Sequence, residues 1–350
     1  MQLIKDVKPE ALKPVSIQVL VADRCQASGI FSLVDTLIAA NYCLRKKTNL
    51  KQDAFPFKLI GTKREHTAYN GFQISNIQPI DVNDRPDILV IPGMIEATAN
   101  PDKLAALLTA SQDRIDLIKR WHRQGTVIVA SCSGNFLIAA SNIAQERTLT
   151  THWMMDGGVR QLFSQQPFDM NQMMIDHGDI ISFGGATAVN QMTLYLVERF
   201  HSRELALQTG RMMLIEPTQN QQTPFSMFMP SRTHEDAHVE QLQSLLENNF
   251  QEPVALPELM KQISISERQL SRRFKSITGE TPISYLQRLR IEFVRRGLES
   301  TNKQANSLIW DAGYEDVSSF RRLFKKTLGM TMSEYRQRYG VMHRNTPVNF

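Results

Sequence analysis

The chain has 350 residues, 42% hydrophobic and 21% charged, which is enough apolar material for two or three folded domains. Its apolar runs are shorter than the ~20 residues of a membrane span, and the N-terminal stretch lacks the apolar core and cleavage site of a signal peptide. Cys25, Cys43 and Cys132 show no metal-ligand spacing. We therefore expect a protein of the reducing cytoplasm, without membrane contact, disulfide framework, metal or cofactor.

The net charge of +5 is distributed unevenly. Residues 1–237 carry 23 Lys and Arg against 23 Asp and Glu, whereas residues 238–340 carry 16 against 12. Binding to a polyanion predicts a basic excess confined to one region, although an ordinary solvated surface can also carry one. The helix pattern of the C-terminal region is needed to decide between these two explanations.

Short β-like runs alternate with longer helical patterns from residue 15 to residue 200. The runs "VSIQVLVA", "DILVIPG", "TVIVAS" and "DIISFGG" each precede a segment with helical spacing of apolar residues. This alternation predicts an α/β domain with a mostly parallel sheet covered by helices on both faces. Glycines fall at the turns where such sheets place a binding crevice: Gly93, Gly134 and Gly184.

One of these turns carries a cysteine. In "TVIVASCSGNFLIAA", residues 126–140, a buried strand leads into Cys132 and then into a helix. A strand–turn–helix of this kind can expose a nucleophile beside backbone N–H groups. The residue types alone leave open whether Cys132 is a working nucleophile or the remnant of one.

The periodicity stops between residues 216 and 236, a polar stretch with three prolines. We interpret residues 216–237 as a linker, because the pattern after it is entirely helical. An internal repeat follows at an offset of 50 residues, aligning residues 270–288 with 320–338. Eight of the nineteen pairs are identical: Arg272/Arg322, Phe274/Phe324, Lys275/Lys325, Gly279/Gly329, Thr281/Thr331, Tyr285/Tyr335, Gln287/Gln337 and Arg288/Arg338.

Each copy of the repeat reads as a short helix, a tight turn and a basic helix. The short helices are predicted at 257–262 and 307–312. The basic helices begin after the N-cap candidates Ser266 and Asp316 and end at Gly279 and Gly329. Together these features describe two helix-turn-helix units.

The basic helices are predicted to be amphipathic. Leu270, Phe274 and Ile277 share one face of the first helix, and the polar face lies opposite. A solvated basic face would explain one such helix, but two copies in the same context favour recognition helices that contact base edges and phosphates. The outward residues are Arg268, Ser271, Arg272 and Lys275 on the first helix, and Ser318, Ser319, Arg321, Arg322 and Lys325 on the second.

Residues 238–340 resemble the AraC/XylS-type DNA-binding domain, through "SISERQLSRRFKSITGETPISYLQRLR", "RIEFVRRGLES" and "LIWDAGYEDVSSFRRLFKKTLGMTMSEYR". The resemblance implies two helix-turn-helix units joined by a long helix at about 282–300, entering successive major grooves of double-stranded DNA about 10 base pairs apart. It also makes RNA polymerase a candidate partner. The base-facing positions that it implies are Arg268, Ser271, Arg272, Ser318, Ser319 and Arg322.

Residues 13–215 resemble the class I glutamine amidotransferase-like, PfpI-like domain, which is fused to AraC-type domains in the GlxA group of regulators. The strings that carry this resemblance are "PDILVIPG", "ASCSGNFLIAAS", "TLTTHW" and "ISFGGATAVNQMTLYLVERF", with "QTPF" in the linker. It implies a flavodoxin-like α/β sensor and dimerisation domain over residues 13–215, hence a homodimer that responds to an unidentified small-molecule effector. The symmetric dimer is also the commonest oligomer.

Within this resemblance Cys132 occupies the nucleophile position, but its partners are missing. Gly29 stands where related enzymes place an acidic residue, and Ser133 stands where others place a histidine. We therefore expect a remnant elbow without catalysis, whose thiol keeps a pKa near the ordinary ~8.5. The predicted ligand-binding residues are Cys132, Ser133, His152 and Trp153, although His152 could equally be a structural histidine.

The leading interpretation is a sequence-specific DNA-binding transcriptional regulator that is not an enzyme. Two alternatives belong to other classes. One is a thiol hydrolase or amidotransferase that carries a DNA-binding module, and the other is a redox sensor that uses Cys132. The missing acid at Gly29 and the absence of a histidine at Ser133 argue against the enzyme, and the redox sensor requires a lowered thiolate pKa, for which the sequence offers no visible source.

Overall fold

A computed structural model describes residues 13–48, 52–94, 101–155, 159, 162–185, 188–215, 221–228, 232, 234–252 and 256–340. The chain divides into two compact units, Met1–Gln222 and Thr223–Phe350. This division falls inside the predicted linker, of which residues 216–220, 229–231 and 233 lie outside the described residues. Gln222 is buried in the first unit, and Phe228 packs against a hydrophobic core of the second.

The elements of the first unit alternate between strands and helices. In chain order they are β1 (Ile17–Leu20), α1 (Ala27–Thr48), β2 (Phe57–Gly61), β3 (His66–Thr67), β4 (Gln73–Ile74), β5 (Gln78–Pro79), β6 (Ile88–Ile91), α2 (Pro101–Thr109), α3 (Gln112–Arg123), β7 (Val127–Ser131), α4 (Asn135–Ser141), β8 (Met174–Asp176), β9 (Ile180–Phe183), α5 (Val189–Phe200) and α6 (Arg203–Met213).

A seven-stranded sheet in the order β5-β2-β1-β6-β7-β9-β8 forms the centre of this unit. Every neighbouring pair is parallel except β8 with β9. The predicted α/β class with a mostly parallel sheet is therefore confirmed. Strands β3 and β4 form a separate antiparallel pair.

Alternation along the strands gives the sheet two buried faces. Val129 of β7 packs in a core with α1, α5 and α6, whereas its neighbours Ile128 and Ala130 pack in a second core with α3 and α4. Successive strand residues point to opposite faces, so a strand covered on both sides must be apolar throughout. This requirement explains the continuous apolar run before Cys132.

Helix α1 is apolar on more than one side. Within the described residues, 27–46 is the one helical stretch long and apolar enough to cross a membrane by length and composition. Leu33 and Leu37, however, are fully buried in the first core of the unit. Burial in this core accounts for much of the helix's apolar character.

The described elements of the second unit are all helical. They are α7 (Ala237–Asn249), α8 (Leu256–Met260), α9 (Glu267–Thr278), α10 (Pro282–Ser300), α11 (Ala305–Asp311), α12 (Val317–Leu328) and α13 (Met332–Tyr339).

Helix α10 belongs to two cores at once. Its first half contributes Tyr285 and Leu286 to a core with α7, α8 and α9. Its second half contributes Val294 and Leu298 to a core with α11, α12 and α13. One continuous helix therefore fixes the distance and angle between the two helix-turn-helix units.

Candidate effector site and nucleic-acid interface

Cys132 lies on a strained turn between β7 and α4. Its φ of 51° is left-handed, a conformation that non-glycine residues adopt only when the surroundings impose it. The Cys132 carbonyl accepts hydrogen bonds from Asn135 Nδ2 at 3.0 Å and from Thr151 Oγ1 at 2.8 Å. These bonds hold Cys132 in the strand–turn–helix geometry that the sequence predicts for it.

Close approaches at two glycines allow the elbow to form. A Cβ on Gly93 would lie 3.0 Å from Cys132 Cβ, and one on Gly134 would lie 2.5 Å from the Ile91 carbonyl oxygen. Only a residue without a side chain fits at the second position, because the Ile91 carbonyl belongs to the core strand β6.

The environment of the Cys132 thiol disfavours thiolate. Burial raises the pKa of Cys132 to about 11, against the opposing effect of hydrogen bonds from Ser133. The expectation of a pKa near the ordinary value is therefore wrong, because a thiol packed behind Gly93 is desolvated. Gly29 is buried in α1, and the atom nearest to its Cβ position is Cγ2 of Val189, an apolar neighbour.

The side chain of Ser133 points into the protein. Its hydroxyl donates to the Met94 carbonyl oxygen at 2.6 Å and accepts from the Met94 N–H at 2.7 Å. Ser133 is fully buried, so this reciprocal pair ties the segment after β6 to the elbow. Its hydroxyl thus positions the elbow.

His152 and Trp153 lie half-buried on the chain that follows α4. Burial lowers the pKa of His152, and its Nδ1 accepts a hydrogen bond from the Met154 N–H at 3.2 Å. Burial thus favours the neutral ring, and a neutral ring that accepts at Nδ1 has Nε2 as its N–H donor. The two rings lie 5.4 Å apart, and their chain reaches the elbow through the Thr151 hydroxyl.

Sequence reasoning assigned no role to Gln222, the first residue of "QTPF". Its side chain is 2% exposed and bridges backbone groups of residues 151, 153 and 172. Two features of the sequence pointed to Gln222: the string "QTPF" and the Gly184–Gly185 pair. Gly184 makes room for this side chain, because a Cβ at residue 184 would lie 2.0 Å from Gln222 Nε2. Among the described residues, no group of three or more His, Cys, Asp and Glu could hold a metal ion.

The two basic helices of the repeat have equivalent ends. Ser266 caps α9 by accepting from the Gln269 N–H, and Asp316 caps α12 by accepting from the Ser319 N–H. Gly279 and Gly329 end the helices with φ of 79° and 74°. All four predicted caps are confirmed, and both helices have twelve residues.

Identical residues of the repeat build identical packing. Tyr285 packs edge-on against Phe274 at 5.3 Å, and Tyr335 packs edge-on against Phe324 at 5.7 Å. The Tyr285 hydroxyl donates to Glu247 of α7, and the Tyr335 hydroxyl donates to Glu299 of α10. Thr281 and Thr331 cap α10 and α13 by accepting from the N–H groups of Ser284 and Glu334. Folding thus explains the Phe, Tyr, Gly and Thr identities, but not the exposed Arg272 and Arg322.

The outward faces of α9 and α12 carry the predicted DNA-contacting residues. Arg268, Arg272, Lys275, Ser318, Arg321, Arg322 and Lys325 are exposed, and Ser271 and Ser319 are half-buried. Ile277 was expected on the buried face, but its side chain is 38% exposed. It lies in the last turn of α9, where the buried stripe has already ended at Phe274.

The arginines of these faces differ in their partners. Arg321 donates to Asn306 Oδ1 at 2.9 Å, and Arg273 pairs with Asp236 at 2.9 Å, so both tie helices together. Within the described parts of the chain, Arg272 and Arg322 make no side-chain hydrogen bond or ion pair. They are thus exposed cations at the same position of two duplicated helices.

Several known proteins are similar to this chain. The chain is 23% identical to the HTH-type transcriptional regulator GbdR of Pseudomonas aeruginosa over 95% of this chain and 86% of that protein. It is 22% identical to the HTH-type transcriptional regulator CdhR of the same organism over 77% of each. An AraC family transcriptional regulator from Pseudomonas putida is similar in structure, with a TM-score of 0.45 and 14% identity, over 57% of this chain and all of that one.

Two family models match successive parts of the chain. The DJ-1/PfpI family model matches residues 15–199, and a helix-turn-helix domain model matches residues 259–338. The protein is therefore a DNA-binding transcriptional regulator with an α/β N-terminal domain and an AraC-type helix-turn-helix domain. The chain belongs to the DJ-1/PfpI family, whose model spans more than half of it.

Proposed function

We propose that the N-terminal unit senses a small molecule and controls a bipartite DNA-reading unit in a cytoplasmic homodimer. RNA polymerase is a further proposed partner when the protein is bound at a promoter. The observation that carries the DNA-reading part is the pair Arg272 and Arg322, which are exposed at equivalent positions and have no hydrogen-bond or ion-pair partner among the described residues. Packing of the helices does not explain why an arginine stands at either position, whereas contact with DNA bases or phosphates explains both.

The length of α10 supports a bipartite site. Its 19 residues span about 28 Å at 1.5 Å per residue, comparable to the ~34 Å of one turn of DNA. We propose that α9 and α12 enter successive major grooves on one face of the duplex. The proposed base and phosphate contacts are Arg268, Ser271, Arg272, Lys275, Ser318, Ser319, Arg321, Arg322 and Lys325.

Selection from a random duplex pool by the full-length protein tests this part. We expect two enriched half-sites about 10 base pairs apart. Affinity should fall linearly in a log–log plot as salt rises, because lysines and arginines release counterions from the duplex. A pool without enrichment, or an affinity that salt leaves unchanged, would contradict DNA recognition by this unit.

The proposed effector site lies at the elbow, lined by Cys132, His152 and Trp153 and positioned by Ser133. Strand-to-helix turns at this edge of a parallel sheet present free N–H groups, and His152 adds a neutral donor. The raised pKa of Cys132 supports a binding role over thiol chemistry. We therefore propose that this site binds a small polar molecule without transforming it.

A thermal-shift screen with small carboxylates, amines and amino acids tests the site. At least one compound should raise the melting temperature of the wild-type protein and not that of Cys132→Trp, which fills the crevice. Cys132→Ser is the matched control, because it keeps the volume small. A compound that stabilises all three proteins equally binds elsewhere and contradicts the assignment.

Homodimerisation is proposed through α1. Phe31, Ile38 and Tyr42 expose 41% to 48% of their side chains, and their spacing of seven and four residues places them on one stripe. A second copy of this chain can bury the stripe in a two-fold interface. Sedimentation should show a dimer for the wild type and a monomer for Ile38→Asp, and a monomeric wild type at micromolar concentration would overturn the proposal.

A further inference from the structure

The chain changes its direction of winding between β1 and β6. These strands are neighbours in the sheet, yet α1, which follows β1, packs in the first core, and α3, which leads from β6 to β7, packs in the second. The segments after the two strands therefore part to opposite faces of the sheet. In open α/β sheets, ligands bind outside the carboxyl ends of the strands at such a switch point. The elbow lies beside it, because Cys132 follows β7, the other neighbour of β6.

Arg114 reaches this switch point from the first turn of α3. Its Nη1 lies 3.8 Å from Met94 Sδ, and Met94 exchanges two hydrogen bonds with the Ser133 hydroxyl of the elbow. Burial lowers the pKa of Arg114, and the charge of Asp23, which follows β1, opposes this shift. Arg114 therefore lies one residue away from the elbow and within electrostatic reach of the segment after β1.

Three arginines of the first unit are half-buried among its described residues, and Arg114 is the one of them without a carboxylate in contact. Arg147 pairs with Asp179 at 2.6 Å, and Arg199 pairs with Asp176 at 2.8 Å. A guanidinium that is partly removed from water is stabilised by a carboxylate at hydrogen-bond distance. An anion that binds at the switch point would give Arg114 the kind of partner that the other two arginines have.

Arg114 is already oriented by its own helix. Its Nη2 donates to Ser111 Oγ at 2.6 Å and to the Ala110 carbonyl oxygen at 3.3 Å. Ser111 is the N-cap of α3, but its buried hydroxyl donates to the Leu107 carbonyl oxygen and accepts from no N–H group of the helix, as an N-cap serine usually does. This hydroxyl instead fixes Arg114, with Nη1 facing the thioether of Met94, a weak acceptor.

We propose that Arg114 forms an anion subsite of the effector site and binds a carboxylate group of the effector; this rests on the proposed function. Nη1 donates to the carboxylate in place of its weak contact with Met94, and the rest of the molecule extends toward the elbow. The charge of Asp23 acts on the same place, so each further negative charge on a ligand is repelled. A carboxylate is therefore preferred to a phosphate, which carries about −1.5 to −2 charges at pH 7.

Three variants define the contribution of Arg114. Arg114→Gln removes the charge and keeps a polar side chain. Arg120→Gln is the matched control, because Arg120 is exposed on the same helix and its loss changes the net charge equally. Arg114→Lys keeps the charge but not the planar fork that bonds Ser111 and a ligand together, so it keeps the test valid if Arg114→Gln fails to fold.

Calorimetric titration of the full-length proteins with matched acids and amides measures the subsite. The probes are acetate, butyrate, succinate and glycine, each against its primary amide, and inorganic phosphate. We expect at least one acid to bind the wild type about tenfold or more tightly than its amide. Arg114→Gln should bind that acid about tenfold or more weakly, Arg114→Lys should lie between, and Arg120→Gln should match the wild type.

Several results would overturn the subsite. They are equal affinity for acids and amides, tighter binding of phosphate than of any acid, an acid that Arg114→Gln binds as the wild type does, and an acid that Arg120→Gln loses equally. Binding that Cys132→Trp abolishes but Arg114→Gln leaves intact keeps the proposed effector site and removes the subsite.

A second measurement separates the subsite from the function on which it rests. The Nε–H NMR signal of Arg114, assigned by its loss in Arg114→Gln, should shift saturably when acetate is added to the wild type, and not with acetamide. An unmoved signal overturns the subsite. If every probe binds Cys132→Trp as it binds the wild type, the proposed effector site at the elbow is wrong, while the response of this signal to acetate still judges Arg114.

Discussion

The carboxamide of Gln222 lies against the Cα of Gly184, in space that any side chain at residue 184 would occupy. Gly134 has the same relationship with the Ile91 carbonyl, and Gly93 with Cys132. The three glycines at the strand-to-helix turns thus leave room for the elbow and for the residue that leads into the second unit. The absence of a Cβ at these three positions therefore determines the shape of this sheet edge.

Gly134→Ala should destabilise the first unit by about 1–3 kcal/mol, because its methyl group would stand 2.5 Å from a backbone oxygen of β6. Urea unfolding measures the change in a Trp310→Phe background, where Trp121 and Trp153 are the remaining tryptophans and both lie in this unit. Gly185→Ala is the control and should leave the transition in place. Equal stability of the two variants would show that the elbow opens at little cost.

Cys132 should be a slow nucleophile. With a pKa of about 11, on the order of one thiol in ten thousand is ionised at pH 7. The alkylation rate, followed by mass spectrometry of the Cys132 peptide, should still rise between pH 10 and 11, where a peptide cysteine with the ordinary pKa of ~8.5 has already levelled off. The wild type should release no ammonia from glutamine. A glutaminase or peptidase activity that Cys132→Ser abolishes would restore the enzymatic alternative.

Asp179 should make the first unit sensitive to acid. Burial raises the pKa of Asp179, but hydrogen bonds from Arg147 and His122 outweigh it and bring the pKa to about 2. The folded-state pKa is depressed, so this stabilisation is present above the unfolded value of ~3.9 and is lost as the pH falls toward 2. Asp179→Asn should flatten the fall in the urea midpoint between about pH 4 and 2. If the urea midpoint of Asp179→Asn falls with pH as steeply as that of the wild type, Asp179 does not contribute to the loss of stability in acid.

The second unit could be predicted largely from local rules. Caps such as Ser266 and Gly279 depend on neighbouring residues, so the ends of α9 and the bounds of α10 follow from the sequence. Ile277 was misplaced because helical spacing alone does not reveal where packing stops. Apolar patterning likewise predicted the sheet, since β strands covered on both faces leave a continuous apolar signal.

The candidate effector site was less predictable, because its properties come from distant residues. Gln222 and Trp153 are 69 positions apart, and no local pattern pairs them. The pKa of Cys132 is set by the desolvation that packing produces, whereas the sequence showed only that a base and an acid were missing. Ser133 was predicted as a ligand residue from its place beside Cys132, and its bonds to Met94 depend on the neighbouring strand.

The most direct test of the account is a footprint of the full-length protein on its selected duplex with Arg272→Ala and Arg322→Ala. Each should weaken specific binding by about 1–3 kcal/mol and lose protection of a different half-site. Lys275→Ala should weaken binding to all duplexes alike, as a phosphate contact would. The control is Arg120→Ala, an exposed arginine on α3 of the first unit, which should change neither affinity nor protection. If both arginine variants instead lose affinity equally for selected and random DNA, with both half-sites still protected, α9 and α12 are not the elements that read the sequence.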